Sequence, residues 1–165
     1  GTGSGILATC LARQLVQAQV WATDISPAAL EVARHNVSTH GVQDRVQLLC
    51  GNLLEPVGSD IWFDFIVSNP PYITTAEYAQ LSRDVRDHEP RQALVAGDKG
   101  TEIIERLIPQ VAEKLKPGGW FLVEISPMLE QRVRELLLDD GRFTNPTTVR
   151  DLAGHARVIQ AAIPL

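Results

Sequence analysis

Residues 1–24 read GTGSGILATCLARQLVQAQVWATD, and their order decides the fold. Gly1-Thr2-Gly3-Ser4-Gly5 is a glycine loop that opens a helix. From Ile6 to Gln17, the residues Leu7, Cys10, Leu11 and Leu15 recur at helical spacing. A short β-type run, Val20 to Ile25, follows, with Asp24 at its end. Glycines let a backbone turn sharply and approach a ligand closely. A carboxylate 19 residues past Gly5, at a strand end, can accept both hydroxyl hydrogens of a ribose.

Gly1, Thr2, Gly3, Ser4, Gly5 and Asp24 therefore read as a nucleoside-cofactor site. The spacing is G-x-G-x-G rather than G-x-G-x-x-G, which weakens a dinucleotide reading. It favours S-adenosylmethionine over a nicotinamide cofactor. The plainer alternative is a tight turn with Asp24 at the surface.

Outward from this stretch, helix and strand signals alternate. Ser26-Pro27 is an N-cap followed by proline at the first helical position. The helix it opens carries Leu30, Ala33 and Val37 on one face and stops near Gly41. Val46 to Cys50 is a strand. It runs into Gly51-Asn52-Leu53, where Asn52 could bond the amino edge of an adenine and Leu53 could pack on its ring. Phe63 to Ser68 is nearly all apolar, as expected of a strand covered on both faces. Residues 72–98 show no clean periodicity, and a stretch of that length between elements is usually functional or disordered. A helix is predicted from Thr101, with Ile104, Leu107, Ile108, Val111 and Leu115 on one face. Pro109 should kink it or mark a late start. Lys116-Pro117-Gly118-Gly119 reads as a stop and turn. Beyond it come a strand (120–125), a helix (129–138) and two closing strands (147–152 and 157–163), expected to form an antiparallel hairpin. This order argues an α/β fold with a mostly parallel sheet, helices on both faces and an antiparallel C-terminal edge.

The chain has 165 residues and a mass of 18.1 kDa, one domain's worth, so 1–165 reads as a single domain. Hydrophobic residues make up 44% and charged residues 21%, which excludes disordered and fibrous classes. No apolar run reaches membrane-spanning length. A net charge of −5 argues against tight, non-specific nucleic-acid binding. Cys10 and Cys50 form no CxxC and sit in apolar contexts, so they read as reduced core residues of an intracellular protein. His35, His40 and His155 have no metal-ligand spacing, and no metal is expected. Trp21, Trp62 and Trp120 read as core or strand-edge residues. The only methionine is Met128, and the chain opens on a loop. It reads as an N-terminally truncated chain whose first strand, central in a doubly wound sheet, would precede Gly1.

The sharpest signal is Asn69-Pro70-Pro71-Tyr72, directly after the apolar strand. Two prolines fix the backbone behind Asn69. Methyl transfer to a planar NH₂ needs such control, because an amide or aromatic amine nitrogen has a delocalised lone pair and is a poor nucleophile. The Asn69 side-chain oxygen and the Pro70 carbonyl can each accept one of its hydrogens. That orients the nitrogen and favours its developing positive charge. Tyr72 can stack on the planar group. No strong base is required, because the proton becomes acidic once the methyl arrives. The bland alternative is a proline-rich strand exit.

With these residues in hand, the chain resembles the class I S-adenosylmethionine-dependent N-methyltransferases. More narrowly, it resembles the HemK/PrmC protein-(glutamine-N5) methyltransferases. The narrower likeness rests on residues 85–94, which contain Glu89-Pro90-Arg91-Gln92-Ala93-Leu94. It also rests on Lys116-Pro117-Gly118-Gly119-Trp120, on Glu124-Ile125 and on residues 150–157. The Asn-Pro-Pro-Tyr motif is shared with adenine methyltransferases, and the Glu-Pro-x-x-Ala-Leu segment separates the two. The resemblance implies a Rossmann-like class I methyltransferase fold with S-adenosyl-L-methionine as cofactor. It further implies a monomeric cytoplasmic enzyme with no direct nucleic-acid partner. The implied substrate is the glutamine of the Gly-Gly-Gln motif of a peptide chain release factor, bound with help from a preceding helical domain.

The site this implies has Asn69, Pro70 and Tyr72 as catalytic residues. Gly1 to Gly5, Asp24, Asn52, Leu53 and Asn69 lie on the cofactor; Asn52 stands where the family commonly carries Asp. Asn69, Pro70, Pro71, Tyr72 and Glu89 lie on the substrate; by their place in the irregular segment Glu89, His88 and Arg91 either shape that pocket or hold the loop, the plainer alternative being a mixed-charge surface loop. Arg83 and Arg86 alternate with Asp84 and Asp87, which reads as a salt-bridged face. The competing readings are a nucleic-acid amino methyltransferase (adenine N6 or guanine N2) and a non-catalytic fragment.

Overall fold

The computed structural model describes the backbone of residues 1–165 and every side chain except those of Val85, Asp87 and His88. It divides into two compact units, Gly1–Asp60 and Ile61–Leu165.

The first unit runs α1 (Ile6–Gln14), β1 (Val20–Asp24), α2 (Pro27–Thr39) and β2 (Val46–Cys50). β1 and β2 pair in parallel, from Val20 opposite Val46 to Asp24 opposite Cys50. α2 forms for the local reasons expected. The Ser26 hydroxyl accepts the Ala29 N–H at 3.2 Å, Pro27 occupies the first turn, and Leu30, Ala33 and Val37 are the buried face.

α1 departs from expectation. Its buried residues are Ala8, Thr9 and Ala12, while Leu7, Cys10 and Leu15 face solvent. Small residues win the inner face because Gly5, at the N-cap of α1, already touches α2. A Cβ on Gly5 would stand 2.9 Å from the Cβ of Ala33. Ala8 and Ala12 then join Ala22, Val37, Val42 and Val46 in the core of this unit. The same rotation corrects the expectation for Cys10, which is exposed. Cys50, at the end of β2, is also exposed, so neither free cysteine is a core residue.

The second unit runs β3 (Phe63–Ser68), β4 (Ile73–Thr74), α3 (Thr75–Tyr78), α4 (Arg83–His88), α5 (Arg91–Leu94) and β5 (Val95–Gly97). It continues with α6 (Glu102–Lys114), β6 (Leu115–Glu124), α7 (Glu130–Asp140), β7 (Thr144–Arg150) and β8 (Ala156–Ala162). Its main sheet has the order β3-β6-β8-β7. β3 and β6 are parallel, and β8 is antiparallel to both β6 and β7. The core gathers Ile104, Leu107 and Val111 of α6, Val133 and Leu137 of α7, Phe121 and Val123 of β6, and Ile159 of β8. Phe121 and Phe143 pack with ring centroids 6.2 Å apart.

The irregular stretch 72–98 folds into short pieces tied by a second, two-stranded parallel sheet that pairs Ile73 with Val95 and Thr74 with Gly97. α6 runs through Pro109 from Glu102, so the proline marks no late start. Lys116 to Gly119 lie within β6, where the register shifts against β3. Gly118, at φ +77°, donates its N–H to the Ile163 carbonyl at 3.0 Å. The expected turn is therefore an irregularity inside a strand.

β3 is not covered on both faces. Phe65 is 45% and Val67 38% exposed, and the buried side of the strand is the one that carries Ile66. Trp62 and Trp120 are exposed rather than core, and Trp21 is half-buried. Among the described residues, no helix is long and apolar enough to cross a membrane. Nor does any group of three His, Cys, Asp or Glu stand ready for a metal.

Candidate active site

In the first unit the glycine loop is held residue by residue. The Thr2 N–H donates to the Thr23 carbonyl at 2.8 Å, and the Gly3 N–H to Oδ2 of Asp24 at 2.8 Å. Asn36 Nδ2 donates to the Ser4 carbonyl at 2.9 Å, and Gly5 rests on Ala33. Gly3 and Gly5 adopt left-handed backbone at φ +56° and +75°, which only glycine takes without strain. A Cβ position built on Gly3 faces open space, so its backbone is open to a ligand.

Asp24 is 7% exposed and clasps the site together. Besides Gly3, its Oδ1 accepts the Ser26 N–H at 2.8 Å, which ties the loop to the cap of α2. Each oxygen has spent one bond and retains acceptor capacity. Sequence reasoning gave this carboxylate to a ligand; the structure gives it the loop as well.

After β2, the Gly51 N–H donates to the Asp24 carbonyl at 2.9 Å, and Gly51 packs so closely on Pro56 that no Cβ would fit. Asn52 Nδ2 donates to the Glu55 carboxylate. Leu53 has φ +52°, a left-handed conformation that a branched side chain adopts only where its surroundings impose it. Three features expected along one edge of a nucleoside thus come from this unit: the glycine loop, Asp24 and Asn52-Leu53.

In the second unit β3 delivers Asn69-Pro70-Pro71-Tyr72 into β4. Asn69 is exposed, Pro70 is buried, and Pro71 and Tyr72 are half-buried. The buried proline fixes the backbone while the asparagine side chain stays available. Gly100, at φ +81°, lies against the Tyr72 carbonyl; a Cβ there would come within 2.8 Å of that oxygen. A capping box follows directly. Glu77 Oε2 accepts from the Thr74 N–H and hydroxyl, each at 2.8 Å, and the Glu77 N–H returns a bond to Thr74 Oγ1 at 3.1 Å. The backbone N–H and then the hydroxyl of Thr74 hold the Glu77 carboxyl below its ordinary value. A cavity of about 290 Å³ opens beside the turn, lined by Tyr72, Ile73, Glu77, Gln80, Leu81 and Ser126.

Tyr72 has a partner that sequence reasoning missed. Burial, followed by the negative charge of Glu124, pushes the pKa of its phenol upward. Glu89, expected on the substrate, is exposed in the link between α4 and α5 and does not line the cavity. Arg91 lies over the Tyr78 ring at 5.5 Å. The side chains of His88 and Asp87 lie outside the described residues.

The model of the methyltransferase small domain matches residues 1–85. Curated relatives named release factor glutamine methyltransferase align along nearly the whole chain. That of Rhodopirellula baltica is 43% identical over 96% of this chain and 54% of its own length. That of Koribacter versatilis is 42% identical over 99% and 57%. The chain thus spans about half the length of the curated relatives it matches.

A ribosomal protein L11 methylase from Lactobacillus delbrueckii subsp. bulgaricus shares the fold at a TM-score of 0.69 and 26% identity, over 100% of this chain and 67% of its own. A T. thermophilus 16S rRNA methyltransferase in complex with AdoMet and guanosine has the same TM-score of 0.69 at 21% identity, over 99% and 36%. At that identity the second likeness speaks to the fold alone. The fold is the Rossmann-like class I methyltransferase fold. The chain belongs to the methyltransferase small domain family, and the relatives it resembles within that family are named release factor glutamine methyltransferase.

Proposed function

We propose that this chain is the catalytic portion of an S-adenosylmethionine-dependent methyltransferase that acts on the glutamine side-chain nitrogen of the Gly-Gly-Gln motif in a peptide chain release factor. The observation that carries the reading is the Asn69-Pro70-Pro71-Tyr72 turn, with a buried Pro70 behind an exposed Asn69. The names of its relatives support the substrate.

The first unit suits the cofactor. The open backbone at Gly3 leaves room for the amino-acid end of the ligand. The spare lone pairs of Asp24 can take ribose hydroxyls. Oδ1 of Asn52 can accept from the adenine amino group, beside Leu53. When bound, the sulfonium supplies an electrophilic methyl group.

This chain's own residues do the rest. Oδ1 of Asn69 and the Pro70 carbonyl accept the two amide hydrogens. That fixes the plane of the amide and presents one face of its nitrogen. The same acceptors favour the positive charge that grows on nitrogen as the new bond forms. The ring of Tyr72 packs on the amide plane and excludes water. The proton leaves after transfer, when the nitrogen is cationic and acidic, so no buried base is needed.

The test is to incubate the full-length protein with a release factor and isotopically labelled S-adenosylmethionine, and to map the label by mass spectrometry. A single methyl on the motif glutamine is expected. Label on naked DNA or RNA, with none on the release factor, overturns the substrate assignment.

A further inference from the structure

Between β5 and α6 the chain reads Asp98-Lys99-Gly100-Thr101, and Glu102 is the first residue of the helix. A carboxylate there suits the helix N-terminus. Glu102 does more than that. Its Oε1 accepts the Lys99 N–H at 2.7 Å, which bends the carboxyl back over the loop that precedes it. The same carboxyl group sits on the α-carbon of Gly97. A Cβ built on Gly97 would collide with the carboxyl carbon and both oxygens of Glu102, and Gly97 has φ +153° besides. Position 97 therefore takes glycine on two counts, and the missing side chain is what lets the carboxyl in.

This closed loop bears on the catalytic turn from two points. Gly97 pairs with Thr74 across the two-stranded sheet, and its carbonyl accepts from Thr75 Oγ1 at 3.2 Å. Gly100 stands so close to the Tyr72 carbonyl that a Cβ would come within 2.8 Å of it, and within 3.4 Å of Thr74 Cγ2. Residues 72–75 are thus backed by residues 97–100, and Glu102 holds those four residues shut.

The turn needs such a backing. Its prolines fix φ at residues 70 and 71 but leave ψ of Pro71 and both dihedrals of Tyr72 unconstrained. Those are the angles that aim the Tyr72 ring relative to Asn69. We propose that Glu102 is a positioning residue for the methyl transfer: by closing the 97–100 loop it fixes the backbone at Tyr72 and Thr74, and so sets the Tyr72 ring against the planar amide of the substrate. The inference rests on the proposed function of the Asn69–Tyr72 turn. Glu102 acts through backbone alone and touches neither substrate nor cofactor.

Two measurements on the full-length protein test it. The first is independent of activity. The protein is labelled with 3-fluorotyrosine, and the Tyr72 resonance is identified as the one lost in Tyr72→Phe. That resonance should move toward the position of free fluorotyrosine in Glu102→Ala. It should also move in Glu102→Asp, which keeps the charge at the helix end but withdraws the carboxyl from Gly97 and Lys99. Glu102→Gln keeps both reach and acceptor and should leave it in place. An unmoved resonance in the Ala and Asp variants overturns the inference. So does a resonance that moves in Gln but not in Asp, since helix-end charge would then be what matters.

The second is methyl transfer to a release factor. Glu102→Asp should lower kcat about tenfold or more with the KM for S-adenosylmethionine unchanged, and Glu102→Gln should stay near wild type. On a Tyr72→Ala background the Asp substitution should cost little more. Losses that multiply show that Glu102 acts apart from Tyr72 and overturn the inference. Asn69→Ala separates the two levels. If it is dead while Glu102→Asp is fully active, the positioning role fails and the reading of the turn survives. If Asn69→Ala is itself fully active, the reading fails and the inference falls with it.

Discussion

The glycine loop of the first unit and the Asn-Pro-Pro-Tyr turn of the second are held by different means. The loop is clasped by backbone bonds and close packing: Gly3 and Ser26 on Asp24, Asn36 on Ser4, and Gly5 on Ala33. Nearly all of its supports lie within three dozen residues of it. The turn is fixed by its own prolines at one end. At the other it rests on Gly100, which packs against the Tyr72 carbonyl. The loop should therefore fail through bulk and lost N–H partners, whereas the turn should fail through lost acceptors.

The largest effect is expected at the turn. Asn69→Ala should lower single-turnover methyl transfer by about 10²–10³, the usual loss for a positioned electrostatic group, while calorimetry shows S-adenosylmethionine affinity nearly unchanged. Asn69→Asp keeps an acceptor and should retain more activity than Asn69→Ala. If cofactor affinity falls in step with rate, Asn69 supports structure and the contrast between the regions breaks.

Next comes Asp24→Ala, which removes a buried acceptor from two backbone N–H groups as well as from a ribose. Cofactor affinity should fall about 10–150-fold. Melting temperature should drop too, since each orphaned donor costs about 1–3 kcal/mol. Lost affinity with an unchanged melting temperature would show that the clasp contributes little to the fold.

Gly5→Ala sharpens the packing half of the comparison. Its Cβ would meet Ala33 at 2.9 Å, on backbone at φ +75°. Overpacking of this kind costs about 1–3 kcal/mol, read by chemical denaturation. Ala33→Gly in the same chain should recover part of the loss by making space. No recovery would place the whole cost in the backbone angle.

The smallest effect concerns pH. The Glu77 carboxyl is held low by the Thr74 N–H and then by its hydroxyl. A depressed folded-state value means that the contribution is present above the ordinary carboxylate range and is lost as pH falls through the lowered value. Because Glu77 is exposed, the change should be a few tenths of a kcal/mol. Glu77→Gln should flatten that acid limb of the melting curve. An identical slope in both proteins would remove the capping box from the account.

What could be read in advance lay in short-range signals. Ser26, Pro27 and the Leu30–Ala33–Val37 face specify α2 within a dozen residues, because caps and periodicity are local. Strands β1, β2 and β3 are short apolar runs, and Asn69-Pro70-Pro71-Tyr72 carries its geometry in its own prolines. The candidate cofactor residues followed from the spacing of glycine and aspartate around one helix. Less was legible at the substrate side. Glu89, read as a substrate contact from its place in the irregular segment, is exposed, and the cavity-lining residues Gln80, Leu81 and Ser126 bear no local mark.

The rest waited on tertiary structure. Leucine spacing named the wrong face of α1, since the space beside Ala33 admits only Gly5 and small neighbours. Burial of β3 could not be judged from its apolar run, because cover depends on which strands and helices lie alongside it. The stretch 72–98 has no period because its order comes from pairing Ile73 with Val95 across two dozen residues. The action of the Glu124 charge on Tyr72 was beyond any window of sequence. The sequence by itself determined the local elements and the chemistry of the turn, through capping, proline stiffness and glycine freedom. Which side chains stand beside that chemistry was decided only when β6 and β8 paired, because electrostatic contact depends on distance in space and not on separation along the chain.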